Sequence, residues 1–166
     1  MGQTKIAING FGRIGRNAFK IAFERSDLEI VAINDLTDNA TLAYLLKYDS
    51  NYGTYEHEVK AVDSGIEING KLVKVLAEKD PAALPWGDMG VDLVIESTGF
   101  FTDEEGASKH VQAGAKRVVI SGPTKSDGVD TIVLGANDDK VAGSTKVISN
   151  ASCTTNSLGA VMAVLD

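Results

Sequence analysis

The stretch that most limits how this chain can fold is residues 5–16, KIAINGFGRIGR, in which Gly10, Gly12 and Gly15 form G-x-G-x-x-G. In a chain with 17 glycines among 166 residues the spacing alone says little. The flanks give it meaning. Ile6, Ala7 and Ile8 make an apolar run suited to a strand buried on both faces. Ile14, Ala18, Ile21 and Ala22 then recur at helical spacing, which predicts the apolar side of a helix. Residues 29–34, EIVAIN, complete a strand–helix–strand unit.

In such a unit each glycine has its own task. Gly10 takes the backbone angles of a tight strand-to-helix bend, Gly12 leaves the main chain bare, and Gly15 lets the helix lie close to the sheet. The free amides and positive dipole end of the new helix favour a phosphate. Asp35 closes the second strand about 20 residues past the last glycine, where a carboxylate meets the ribose hydroxyls of a dinucleotide. A carboxylate there repels a 2′-phosphate, so the pattern predicts NAD rather than NADP.

A chain of 166 residues is long enough for one domain with a real core. Its 43% hydrophobic and 23% charged content is ordinary for a globular protein. No apolar run reaches the roughly 20 residues of a membrane span, and MGQTKIAING enters a strand without a signal-peptide pattern. The single cysteine, Cys153, excludes an internal disulfide and suits a reducing cytoplasm. A net charge of −7 with scattered basic residues argues against nucleic acid as a partner.

Along the chain, Asp38 or Asn39 caps a second helix, and residues 47–55, KYDSNYGTY, read as a surface loop. Residues 58–77 alternate apolar and polar around an Asn69-Gly70 turn and predict an antiparallel hairpin, with Val73, Val75 and Ala77 on one side. Asp80-Pro81 opens a short helical turn, and residues 92–96, DLVIE, read as a buried strand followed by Ser97-Thr98-Gly99. Thr102 to Glu105 form a capping box for a helix ending at Gly114. His110, beside Lys109 on that helix, reads as a solvated face residue, and His57 falls in the tyrosine-rich loop. Strands follow at 116–120, 130–134 and 146–149, with Ser121-Gly122-Pro123 after the first of them. The fold class predicted is α/β: a Rossmann-type, doubly wound, mainly parallel sheet with an inserted antiparallel hairpin.

The last stretch, SNASCTTNSLGAVMAVLD, places Cys153 in the first turn of a helix whose apolar side is Leu158, Val161, Met162 and Leu165. A helix N-terminus favours thiolate over thiol. Ser152, Thr154, Thr155 and Asn156 surround it with small donors able to hold an oxyanion or a phosphate. Such polar neighbours point to a reactive rather than a buried structural cysteine.

INGFGRIGR, VAIND, the hairpin leading to LPW, VIESTGFF, VVISGP and above all SNASCTTNS resemble, in order and over the whole chain, the NAD-dependent glyceraldehyde-3-phosphate dehydrogenases of glycolysis. The SNASCTTN stretch is shared with their sister family, the erythrose-4-phosphate dehydrogenases. The resemblance implies oxidation of glyceraldehyde 3-phosphate with NAD and inorganic phosphate to 1,3-bisphosphoglycerate. Cys153 is then the nucleophile, with Ser152 and Thr154 touching substrate or phosphate. The implied cofactor contacts are Asn9, Gly10, Gly12, Arg13 and Ile14 at the pyrophosphate loop, Asp35 at the adenosine ribose and Lys79 near the adenine. Thr98, Gly99 and Ser121 lie towards the nicotinamide. No metal is implied. Ser157, Gly159-Ala160 and Gly122 depart from the family's usual residues, away from the chemistry.

Members of that family are longer. The resemblance therefore implies an NAD-binding domain over residues 1–150 and the start of a catalytic-domain helix over 151–166, with the catalytic histidine, the substrate-phosphate arginine and the nicotinamide asparagine elsewhere. Neither His57 nor His110 matches that histidine. The chain is expected to bind NAD and turn over little alone, and to associate with copies of itself or with a complementary chain. The alternatives are a non-catalytic NAD-binding module and an erythrose-4-phosphate dehydrogenase-like enzyme.

Overall fold

The computed structural model describes residues 2–165. Met1 and Asp166, the outermost residues of the two expected units, lie outside them. The elements run β1 (Thr4–Asn9), α1 (Arg13–Phe23), β2 (Leu28–Asn34), α2 (Asn39–Lys47), β3 (Tyr48–Asp49), β4 (Gly53–Thr54), β5 (Val59–Val62), β6 (Gly65–Ile68) and β7 (Lys71–Leu76). After a 3-10 turn at Pro81–Ala83 come α3 (Trp86–Met89), β8 (Leu93–Glu96), α4 (Glu104–Gln112), β9 (Arg117–Ile120) and β10 (Asp130–Thr131). A second 3-10 turn, Asp138–Gly143, leads to β11 (Val147–Ser149) and α5 (Cys153–Leu165).

Nine strands make one sheet in the order β10-β11-β9-β8-β1-β2-β7-β6-β5. Every neighbouring pair from β10 to β7 is parallel, and β7–β6 and β6–β5 are antiparallel. The chain builds outward from β1 through β2 to β7, then returns to the other side of β1 with β8, β9 and β11. The order therefore reverses beside β1, and the crevice past the carboxyl ends of β1 and β8 is where such sheets bind ligands. Alternation along the strands divides the core between two faces. Ile6 and Ile8 of β1 join Phe11, Phe19, Ile33 and Leu46 on one face, while Ala7 joins Ala32, Trp86, Val94 and Val118 on the other.

Several elements differ from expectation. The buried line of α1 is Gly15, Phe19 and Ala22, whereas Ile14 and Ile21 are 52% and 69% exposed. Gly15 lies against the glycine turn, and that contact sets the helix rotation and turns Phe19 inward edge-on to Phe11. Residues 47–55 hold the small ribbon β3–β4, and Tyr55 is buried. The hairpin region has three strands rather than two, and β7 also joins β2 in parallel, so Ala77 falls outside the strands and is exposed. The expected strand at 130–134 is regular only over Asp130–Thr131, and α4 is capped by Asp103, whose side chain accepts from Gly106 N. The residues of α5, including Leu158, Val161, Met162 and Leu165, are not buried.

Asp92, just before β8, ties the sheet's entry side together. It accepts from Lys5 N at 2.9 Å and pairs with Lys116 at 2.6 Å. Lys116 first, then the Lys5 amide, hold its carboxyl below the ordinary 3.8. The unfolded chain thus keeps this proton to higher pH than the folded one. The stabilisation is complete above the unfolded value and is lost as pH falls through the folded value. Urea unfolding from about pH 6 down to about pH 3 should show a shallower loss of stability in Asp92→Asn than in the unaltered chain. Identical slopes would refute this role.

Candidate functional site

The glycine turn fills the crevice beside β1. Gly10 has φ +88°, and a Cβ there would lie 2.6 Å from Thr98 N. A Cβ on Gly15 would lie 2.1 Å from Gly10 O. Both glycines are therefore demanded by the protein's own packing. Gly12 is different: it is the N-cap of α1, and a Cβ on it would meet nothing within 4 Å. Its bareness leaves space in front of the helix N-terminus, where amides without intrahelical acceptors face outward. Arg16 Nη1 donates to Phe11 O at 2.9 Å and clamps the turn from the helix.

Asp35 stands at the end of β2. Its Oδ2 accepts from Phe11 N at 2.7 Å and its Oδ1 from Thr37 N at 2.9 Å. The carboxylate thus braces the glycine turn and remains half-buried beside it. Together they border a cleft of about 380 Å³ lined by Asn9, Gly10, Gly12, Asp35, Lys79 and Thr98, with Leu36, Phe100 and Phe101 adding apolar wall. A bare helix N-terminus, a carboxylate one strand along and an apolar wall together fit a dinucleotide: anion, ribose and base each find matching chemistry.

Of the expected cofactor residues, Arg13, Ile14, Gly99 and Ser121 are not among those lining this cleft. Arg13 lines a neighbouring hollow with Arg16, Tyr44, Tyr48 and Asp49. The Asn9 side chain is 1% exposed and spent internally, donating to Glu96 and accepting from Asn34. Sequence reading missed Leu36, Phe100 and Phe101. The signal was present: three large apolar residues within five positions of the ends of β2 and β8, two of them, Leu36 and Phe100, well exposed.

His110 corrects the sequence reading. It is fully buried, not solvated, and bonds Glu96 and Trp86 beneath the cleft. The helical pattern hid this, because its neighbours Lys109 and Gln112 are polar and only contacts from β8 and α3 reveal the inward face. His57 is also engaged: its Nε2 meets Glu24, and Asn69 Nδ2 donates to its Nδ1 at 2.9 Å.

Cys153 begins α5 and is exposed. Ser152 Oγ accepts from Thr155 N at 3.0 Å and meets the hydroxyls of Thr154 and Thr155 at 2.9 and 2.7 Å. Asn156 Nδ2 donates to Asn150 O at 2.7 Å and closes the turn. Ala151, buried two residues before the thiol, is held at φ +61°, a left-handed conformation that costs a non-glycine residue energy. Such strain is typical where a chain must present a group at a set angle. Ser149 Oγ, donating to Gly122 O at 2.8 Å, anchors the turn from β11.

Among the described residues no helix is long and apolar enough to cross a membrane. The sequence matches the family described as glyceraldehyde 3-phosphate dehydrogenase, NAD binding domain, over residues 4–104. It is 53% identical over 165 residues to glyceraldehyde-3-phosphate dehydrogenase 1 of Bacillus cereus, covering 99% of this chain and 49% of that protein. Against the glyceraldehyde-3-phosphate dehydrogenase of Borreliella burgdorferi it is 55% identical over 166 residues, covering 97% and 49%. Against that of Thermotoga maritima the values are 51% over 165 residues, 98% and 49%. The chain spans about half the length of the curated relatives it matches.

Proposed function

This chain belongs to the glyceraldehyde-3-phosphate dehydrogenase family and carries its NAD-binding domain, and on that premise we propose that it is the cofactor-binding part of a glycolytic, phosphorylating dehydrogenase of the cytoplasm. The observation that carries the reading is the open face of Gly12 at the start of α1, in a turn braced by Asp35. The α1 amides, with Arg13 and Ile14, take the diphosphate. Asp35 takes the adenosine ribose, and Lys79, Leu36 and the two phenylalanines border the base. Thr98, Gly99 and Ser121 lie towards the reactive ring. NAD, when bound, supplies the hydride acceptor.

Cys153 is the nucleophile of this reading. Its sulfur forms a bond to the aldehyde carbon of glyceraldehyde 3-phosphate, and loss of hydride from that carbon leaves a thioester. Inorganic phosphate displaces the thiolate and releases 1,3-bisphosphoglycerate. Ser152 and Thr154, at the same helix start, hold the oxygens of substrate or phosphate. In this reading neither His110 nor His57 is the general base. Both ring nitrogens of His110 are engaged in the interior. His57 precedes β5 at one edge of the sheet, while Cys153 follows β11 towards the other. Residues 1–150 then form the cofactor domain, and 151 onward opens the catalytic domain. The exposed Leu158, Val161 and Met162 of α5 are where a complementary half or a second copy makes contact.

Calorimetry tests the reading. NAD should bind and NADP should bind far more weakly. Phosphate-dependent NADH formation should be slight in this chain alone and should rise when a complementary catalytic half is added, since general base catalysis supplies about a hundred- to ten-thousand-fold. No heat with NAD, or a preference for NADP, would overturn it.

A further inference from the structure

Beneath the cleft lies a hydrogen-bonded relay of buried polar side chains whose direction is fixed from both ends. Glu78 donates its backbone N–H to Asn34 Oδ1 at 2.8 Å. A backbone amide only donates, so Asn34 Nδ2 is left to donate to Glu78 O at 2.8 Å and to Asn9 Oδ1 at 2.7 Å. Asn9 Nδ2 must then face Glu96 as a donor. From the other end, Trp86 Nε1, which can only donate, gives its proton to His110 Nδ1 at 2.9 Å. The His110 proton therefore sits on Nε2, 3.0 Å from Glu96 Oε2. Thr98 donates to Glu96 Oε1 with its backbone N–H, at 2.8 Å, and with its hydroxyl. Everything that meets Glu96 is a donor, and an ionised carboxylate is the one side chain that accepts them all. Glu96, His110, Asn9 and Trp86 are each no more than 1% exposed.

What Glu96 grips is also what the glycine turn rests on. Thr98 N is the atom nearest to where a side chain on Gly10 would begin. Ser97, between them, donates its hydroxyl to Gly10 O at 2.7 Å. We propose that Glu96 and His110 are positioning residues of the cofactor cleft: His110, its proton held on Nε2 by Trp86, orients Glu96, and Glu96 fixes Thr98 against Gly10 and so sets the height of the turn. The inference rests on the reading of this cleft as a dinucleotide site. No role in the chemistry is assigned to either residue.

In the unaltered, ligand-free chain, nitrogen-15 NMR should show neutral His110 protonated on Nε2 alone. Protonation on Nδ1 would overturn the relay, whatever any variant does. Glu96→Gln replaces an acceptor by a donor facing Asn9 and His110. It should weaken NAD binding on the order of tenfold, by analogy with the lower range for losing an outer-shell support of a metal site. His110→Gln, which keeps a donor towards Glu96, should bind NAD near the unaltered level, while His110→Leu should fall with Glu96→Gln. Equal weakening by His110→Gln and His110→Leu, at matched melting temperatures, would reduce His110 to packing and overturn its role. An unaltered chain giving no heat with NAD would overturn the reading of the cleft. NAD binding that is unchanged in Glu96→Gln would overturn only the positioning role.

Discussion

Gly15→Ala should lower the melting temperature of the chain sharply, while Gly12→Ala, three residues earlier in the same turn, should leave it nearly unchanged. A methyl group on Gly15 would sit 2.1 Å from Gly10 O and 3.0 Å from Ser97 Oγ. The nearer atom is backbone, and it is part of a turn held by Ser97, Phe11 and Asp35. It cannot swing aside as a side chain would. Overpacking a tight site costs about 1–3 kcal/mol, and this one should reach the upper end. At roughly 2–4 °C per kcal/mol for a chain of this size, the loss is about 6–12 °C. Gly12 has φ −72° and open space around its missing side chain, so alanine there meets no strain. Its methyl would instead occupy the space in front of the α1 amides, and NAD affinity should fall with stability intact. Thermal melts with calorimetry on both variants separate the two roles. Equal stability losses would show that the turn's glycines serve the fold alone.

That contrast also marks what the sequence could convey. The G-x-G-x-x-G pattern, the flanking apolar runs and Asp35 are local, and the strand–helix–strand unit and its acid stand where local reading puts them. The rotation of α1 was not local. The expected stripe of Ile14, Ala18, Ile21 and Ala22 is as apolar as one through Phe19, yet only Ala22 of the four is buried, and the contact of Gly15 with Gly10 decides the rotation. His110 was lost for a related reason. A histidine flanked by lysine looks solvated until its partners arrive, and those partners, Glu96 and Trp86, are 14 and 24 residues away in sequence. The apolar wall of the cleft comes from two separate loops, and only the sheet order brings them together. Ala151 gave no sign of its left-handed backbone, because alanine carries no turn signature.

Asp35→Asn is expected to move the two cofactors in opposite directions. In the unaltered chain the Asp35 carboxylate has given one lone pair on each oxygen to Phe11 N and Thr37 N. Each oxygen keeps a second for the hydroxyls of a ribose. Hydrogen bonds to a charged group contribute about 1.5–3 kcal/mol, so neutralising this one should weaken NAD by roughly ten- to a hundredfold. For NADP the carboxylate is an obstacle. Two negative charges about 4 Å apart near a protein surface repel by about 4 kcal/mol before salt screening, and asparagine removes that repulsion. NADP affinity should therefore rise as NAD affinity falls, most visibly at low ionic strength. The bracing of Phe11 supplies the competing explanation. The two amides use different oxygens of Asp35, and in asparagine one of those positions becomes an NH2 donor that faces an N–H, so the turn itself could loosen. A loosened turn would weaken both cofactors together, and the salt dependence of NADP binding would not change. Parallel losses in titrations at two ionic strengths would assign Asp35 to the turn, whereas divergent ones would assign it to discrimination at the ribose.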